Sequence, residues 1–194
     1  MSLFRKYTRP ELVRFVRAMD LLIDEPTDLL VIGGAAATLK YGAQGTTKDI
    51  DTWHNVPAAV LKAAEEARAA TGLPVPIERA AVAEGPYHYE DRIRPVSMKL
   101  KKLRIFVPER HDLALMKVVR GDRHDEDVIG EIHARHPLKM ETLVEPFETE
   151  MGHVTKDGKI LRVQFRVLIQ RLFGPKAGKT VAASRKSGAG GMRV

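Results

Sequence analysis

Apolar positions three and four residues apart open the chain. Leu12, Phe15, Val16, Met19 and Leu22–Ile23 fall on one side of a helix. Thr8, followed three residues later by Glu11, reads as its capping box, and Pro26 stops it after about Asp24. The period then changes. DLLVIGG, from Asp28, is a short apolar run closed by glycines, the pattern of a buried strand. Residues 35–41 are small helix formers ended by Gly42, residues 49–53 form a second strand, and residues 57–70 form a helix ended by Gly72. Further on, Val96, Met98 and Leu100 alternate, and so do Leu103, Ile105 and Val107, which predicts two strands turning at Lys101–Lys102. Pro108 closes that region. A helix over residues 109–120 breaks at Gly121, and Asp125, Val128, Ile129 and Ile132 mark one face of the next. Helical patterning resumes after Pro137, with a kink or break expected at Pro146. It ends in an amphipathic helix over residues 159–173 carrying Ile160, Val163, Val167, Leu168 and Leu172.

This order predicts an α/β (α+β) fold with a mixed sheet flanked by helices and a helical C-terminal region. The expected division is a core over residues 1–136, a helical extension over 137–173 and a basic tail over 174–194. Composition sharpens that division. A hydrophobic content of 44% supplies a core and argues against global disorder. The net charge is +7, and from Gly174 onward Lys176, Lys179, Arg185, Lys186 and Arg193 stand without an acid, leaving +2 for the body. That stretch is rich in Gly, Ser and Ala, lacks an apolar period and is expected to be mobile. It either solubilises the chain or adds salt-sensitive affinity for nucleic acid. There is no cysteine, hence no disulfide or thiolate metal site, and no apolar run of membrane-spanning length or signal-peptide core. A soluble cytoplasmic protein is the expectation.

The chemistry concentrates between Val31 and Trp53. Residues two apart on a strand share a face, so Asp49 and Asp51 project together while Ile50 points inward. Paired carboxylates repel unless a cation stands between them, and a hard divalent ion such as Mg²⁺ suits them. Gly33 and Gly34 leave room for a phosphate at the N-terminus of the following helix, and Thr46 and Thr47 offer hydroxyls nearby. Each element alone has a plainer meaning: DxD as a solvated strand end, GG as a tight turn. Their order, strand, GG, short helix, Gly/Thr loop, DID strand, favours a metal–nucleoside triphosphate site.

GGAAATLKYGAQGTTKDID resembles the signature of the DNA polymerase β-like nucleotidyltransferase superfamily, in particular the AbiE-type toxin nucleotidyltransferases and their uncharacterised bacterial relatives. The resemblance continues into YEDRIRPV and LRIFVPERHDLALMKVVRGDRHDEDV and covers roughly residues 28 to 132. It implies a nucleotidyltransferase core, use of NTP and Mg²⁺ and, in the toxin branch, an RNA acceptor and an antitoxin partner. Carried over by position, Gly33 and Gly34 contact phosphates, Asp49 and Asp51 bind metal, and Lys117 and Asp125 match a downstream Lys and acid. The chain departs from the pattern twice. Gly45 stands where the toxin relatives often carry Arg, and the strand expected at residues 96–100 offers Ser97 and Lys99 where active members often place a third carboxylate. Glu90 and Asp91, just before it, are candidates for that role.

Two readings of Lys117 and Asp125 stand side by side. They form either a buried ion pair joining two helices or a phosphate-binding lysine oriented by an acid. His133 and His136 have helical metal spacing but no third ligand. With His88, His111 and His124 they are expected at the surface. Trp53 either stacks on a base or belongs to the core. The functional expectation is transfer of a nucleotide from NTP to an acceptor. The alternative is a nucleotidyltransferase-fold protein that binds nucleotide, nucleic acid or a partner without turnover.

Overall fold

The computed structural model describes residues 5–44, 47–81 and 83–183. Helix α1 (Arg9–Asp20) buries Leu12, Phe15, Val16 and Met19, as its periodicity predicts, but it ends before Leu22 and Ile23, and Leu22 is exposed. Its cap is tight: the Glu11 carboxylate accepts from the Thr8 N–H at 2.8 Å and from the Thr8 hydroxyl at 2.9 Å. Strand β1 (Thr27–Leu30) leads into α2 (Gly33–Tyr41), and β2 (Ile50–Thr52) into α3 (Ala58–Thr71).

Next comes β3 (Ile77–Arg79), a three-residue strand that hydrophobic patterning does not announce. It pairs parallel with β2, placing Glu78 opposite Asp51, so β2–α3–β3 is a βαβ crossover. A 3-10 turn (Tyr89–Arg92) precedes β4 (Arg94–Pro95), which is antiparallel to β5 (Leu103–Val107). β5 in turn runs parallel to β1. An antiparallel bridge, Val31 to Thr52, joins the two halves through Ile32 N–H to Asp51 O at 2.9 Å and Trp53 N–H to Leu30 O at 3.1 Å. The resulting order across the mixed sheet is β3-β2-β1-β5-β4.

The C-terminal half is helical: α4 (Arg110–Arg120), α5 (Arg123–Arg135), α6 (Met140–Thr149, with Pro146 inside it) and α7 (Gly158–Phe173). One buried cluster runs from Tyr7 through the sheet to Ile169. Among the described residues no helix is long and apolar enough to cross a membrane.

Two expectations are corrected. Residues 96–100 form no strand, despite their alternation. Val96 N–H still reaches Ile105 O at 2.9 Å, but Met98 and Leu100 N–H groups turn back to Val96 and Met98 carbonyls. The Asp20 carboxylate then gathers the N–H groups of Lys101, Lys102 and Leu103, each at 2.8 Å, and fixes the loop. Burial alone would raise the Asp20 pKa; those three donors outweigh it and hold it below the usual value. The second correction concerns the stretch after Gly174. Pro175–Ala183 forms helix α8, which folds back on α7 and packs Ala177 against the core. Residues 184–194 lie outside the described residues.

Candidate active site

Strand β2 buries Ile50 and Thr52, each 1% exposed, so the alternation of the strand turns Asp49 and Asp51 to the opposite side. Parallel pairing adds Glu78 from β3. Carboxylate oxygens of Asp49, Asp51 and Glu78 all lie within 4.8 Å of one another. This corrects the expectation for a third acid. Glu78 stands beside the aspartate pair, whereas Glu90 and Asp91 are engaged elsewhere. Glu90 accepts from the Tyr89 hydroxyl at 2.7 Å and faces His54 at 3.4 Å; Asp91 faces His88 at 3.5 Å.

The glycine bend meets this cluster. Gly33 has φ +67°, and a Cβ on it would lie 3.1 Å from Asp51 Oδ2. Helix α2 starts there with no side-chain cap and no acid in its first turn, so its N-terminal N–H groups and positive dipole end face the carboxylates. Gly34 is packed by Thr47, whose Oγ1 would sit 2.7 Å from an added Cβ. The Thr47 hydroxyl is itself committed, donating to Asp49 O at 3.1 Å and lying 3.4 Å from Asp49 Oδ1. It therefore positions Asp49 as well as lining the cleft. Thr46 and Gly45 lie outside the described residues.

Burial raises the Asp51 pKa, and repulsion from Asp49 and Glu78 adds to it. Arg120 and Lys117 oppose, and the carboxyl is pushed up to about 6. Three hard oxygen donors, whose mutual repulsion these two cations offset only in part, fit a divalent cation such as Mg²⁺ by charge and by donor type.

Of the two readings of Lys117 and Asp125, the buried ion pair is the one the structure shows. They form a buried pair at 2.7 Å between α4 and α5, and Arg120 adds bonds to both Asp125 oxygens at 2.5 and 2.6 Å. Burial works against ionised Asp125, but the two cations outweigh it and hold its carboxyl low. Burial also lowers the Lys117 pKa, with Asp125 opposing that shift. Lys117 and Arg120 nonetheless face Asp51 in two adjoining cavities.

The first, of about 390 Å³, is mainly apolar, with Ile32, Trp53, Leu113, Met116 and Val119 in its wall. The second, of about 380 Å³, is the more polar of the two, with Lys6, Lys48, His124, Gly34, Thr47 and Asp49. Asp51, Lys117 and Arg120 line both. Arg120 was absent from the sequence-derived site; its spacing of three from Lys117 on a helix was the available signal. Trp53 is half-buried and packs on Tyr89 at 4.2 Å, so it is both wall and partial core.

The histidine expectation fails at one position. His111 is 4% exposed; its Nδ1 lies 2.8 Å from Glu109 and its Nε2 accepts from Lys139 N–H at 2.9 Å, so it ties α4 to the start of α6. His133 is half-buried, its Nδ1 accepting from Leu138 N–H at 3.1 Å; His88, His124 and His136 are exposed.

A family model described as "Nucleotidyltransferase of unknown function (DUF6036)" matches residues 11–167. The chain belongs to this family. The matched span takes in every strand among the described residues and all the cleft residues named above except Lys6. No curated protein and no solved structure matches the chain. For this DUF6036 nucleotidyltransferase, the family implies a nucleoside triphosphate substrate, and the three carboxylates form a site able to hold a divalent metal.

Proposed function

We propose that this protein is a Mg²⁺-dependent, cytoplasmic enzyme that transfers a nucleotide from NTP to an RNA acceptor, in the manner of the AbiE-type toxin branch, with an antitoxin as partner. The observation that carries the catalytic part is the convergence of Asp49, Asp51 and Glu78 at the start of helix α2.

In this reading the triphosphate lies in the polar cavity. Lys117 and Arg120 meet its charge there, and the N–H groups after Gly33 and Gly34 bind phosphate oxygens. The nucleoside occupies the apolar cavity, where Trp53, Met116 and Leu113 exclude water. Asp49, Asp51 and Glu78 would hold the Mg²⁺, which when bound supplies charge neutralisation on the phosphates. Glu78 is the exposed member of the three and the one an incoming hydroxyl meets first. Its carboxylate takes the hydroxyl proton as the acceptor oxygen bonds to the α-phosphorus. The bond from the α-phosphorus to the bridging oxygen breaks, and pyrophosphate leaves with that electron pair. Asp125 fixes Lys117 and Arg120 and touches no substrate.

The reading without turnover drew its support from the lack of a third carboxylate, and the position of Glu78 beside Asp49 and Asp51 supports turnover instead. Incubation with each α-labelled NTP, Mg²⁺ and total RNA tests the proposal. Label enters RNA with the wild-type chain and does not with Asp49→Ala plus Asp51→Ala. Nucleotide binding without any label transfer would return the alternative.

A further inference from the structure

Helix α7 is apolar on two sides. Leu161, Phe165, Leu168 and Ile169 enter the core. On the outer side Ile160, Val163 and Val167 remain 54%, 50% and 40% exposed, even with α8 folded back on the same helix. They stand three and four residues apart, so they form one stripe rather than scattered contacts. Two cations border it. Lys159 and Arg166 are exposed and take part in no ion pair among the described residues, whereas Arg162 and Arg171 are matched by Glu148 and by Glu126 with Asp127.

We propose that this face of α7 docks an acidic amphipathic helix of a partner protein. The charge pattern selects that occupant. Helix α7 carries no acid, so a second copy laid on it in either direction brings cations to cations. The chain's own last eleven residues, 184–194, carry Arg185, Lys186 and Arg193 and no acid, so they do not complement it either. A partner helix with aliphatic residues at the same spacing covers the stripe, and carboxylates along one edge meet Lys159 and Arg166. The stripe lies outside the carboxylate cleft, so the proposal does not depend on nucleotidyl transfer.

The test uses the full chain and two synthetic helical peptides with identical aliphatic stripes, one flanked by Glu and one by Lys. Fluorescence anisotropy should show saturable binding of the Glu peptide, weakened roughly tenfold or more by Val163→Asp. The double change Lys159→Glu with Arg166→Glu should exchange the preference so that the Lys peptide binds instead. Both variants alter exposed positions, and unchanged thermal melts show that they are folded. Equal binding of the two peptides, or binding of neither, overturns the proposal. So does sedimentation showing a dimer that Val163→Asp dissolves, which assigns the face to a second copy. Cosedimentation with anionic vesicles in preference to the Glu peptide assigns it to a membrane surface and overturns it as well.

Discussion

Two carboxylate clusters in this protein are built oppositely. Around Arg92, Asp112 and Glu150 share one guanidinium: Asp112 accepts two bonds at 2.8 and 2.9 Å, and Glu150 two more at the same distances. The Arg92 pKa is raised by those bonds and Glu150 is lowered by them. Burial still raises that of Asp112, but its charge has a partner. The result joins the 3-10 turn, α4 and the end of α6. In the cluster on β2 and β3, Asp49, Asp51 and Glu78 crowd together and take part in no ion pair among the described residues, and Asp51 is driven up to about 6. One arrangement resolves its electrostatics within the chain; the other leaves them unresolved for something bound. The raised Asp51 carboxyl, lining both cavities, makes the second the candidate functional cluster.

The contrast breaks most sharply on activity. Glu78→Gln should lower label transfer by roughly 10²–10⁴-fold while leaving the melting temperature near that of the wild type. Single-turnover assays with α-labelled NTP and circular dichroism measure the two. Arg92→Ala should do the reverse. It leaves the buried Asp112 carboxylate unpaired, at a cost of about 2–4 kcal/mol in urea unfolding, discounted for the partial exposure of Arg92. Asp112→Asn with Arg92→Met should recover part of that loss.

Next in size is a pH effect on the metal-free protein. The folded pKa of Asp51 lies above its unfolded value, near 3.8. Its favourable contribution is therefore whole below about pH 4 and drains away as pH rises through about 6. Asp51→Asn should then stabilise the metal-free chain by about 1–2 kcal/mol at pH 8, the figure discounted for partial solvent exposure, with the gain gone at pH 4. A variant less stable at pH 8 than the wild type would contradict the strain. The smallest effect tests the discarded acids. Glu90→Gln and Asp91→Asn should change transfer by less than about twofold, since both point to exposed histidines away from the cleft.

The aspartates and the glycine bend were legible because their determinants are local: alternation on a strand, and a turn that requires glycine beside Asp51. The helices were legible from periodicity, with Gly42, Gly72 and Gly121 at three of their ends. Glu78 was not, because β3 is three residues long and has only Ile77 buried, too short for alternation to register. Its place follows from the parallel pairing of β3 with β2, a contact across helix α3. The alternating run at 96–100 misled for the converse reason. Its pattern is that of a strand, but Asp20, some eighty positions earlier, pins the following N–H groups into a loop. The α8 helix is nine residues long, too short to stand alone, and takes its support from α7.

Diffraction from crystals soaked with Mn²⁺ and a non-hydrolysable NTP analogue, collected at the manganese edge, tests the central claim most directly. The account predicts an anomalous peak within about 2.2 Å of oxygens from Asp49 and Asp51, with Glu78 facing the same ion. A peak held by other residues, or nucleotide bound with no metal between those carboxylates, would contradict it.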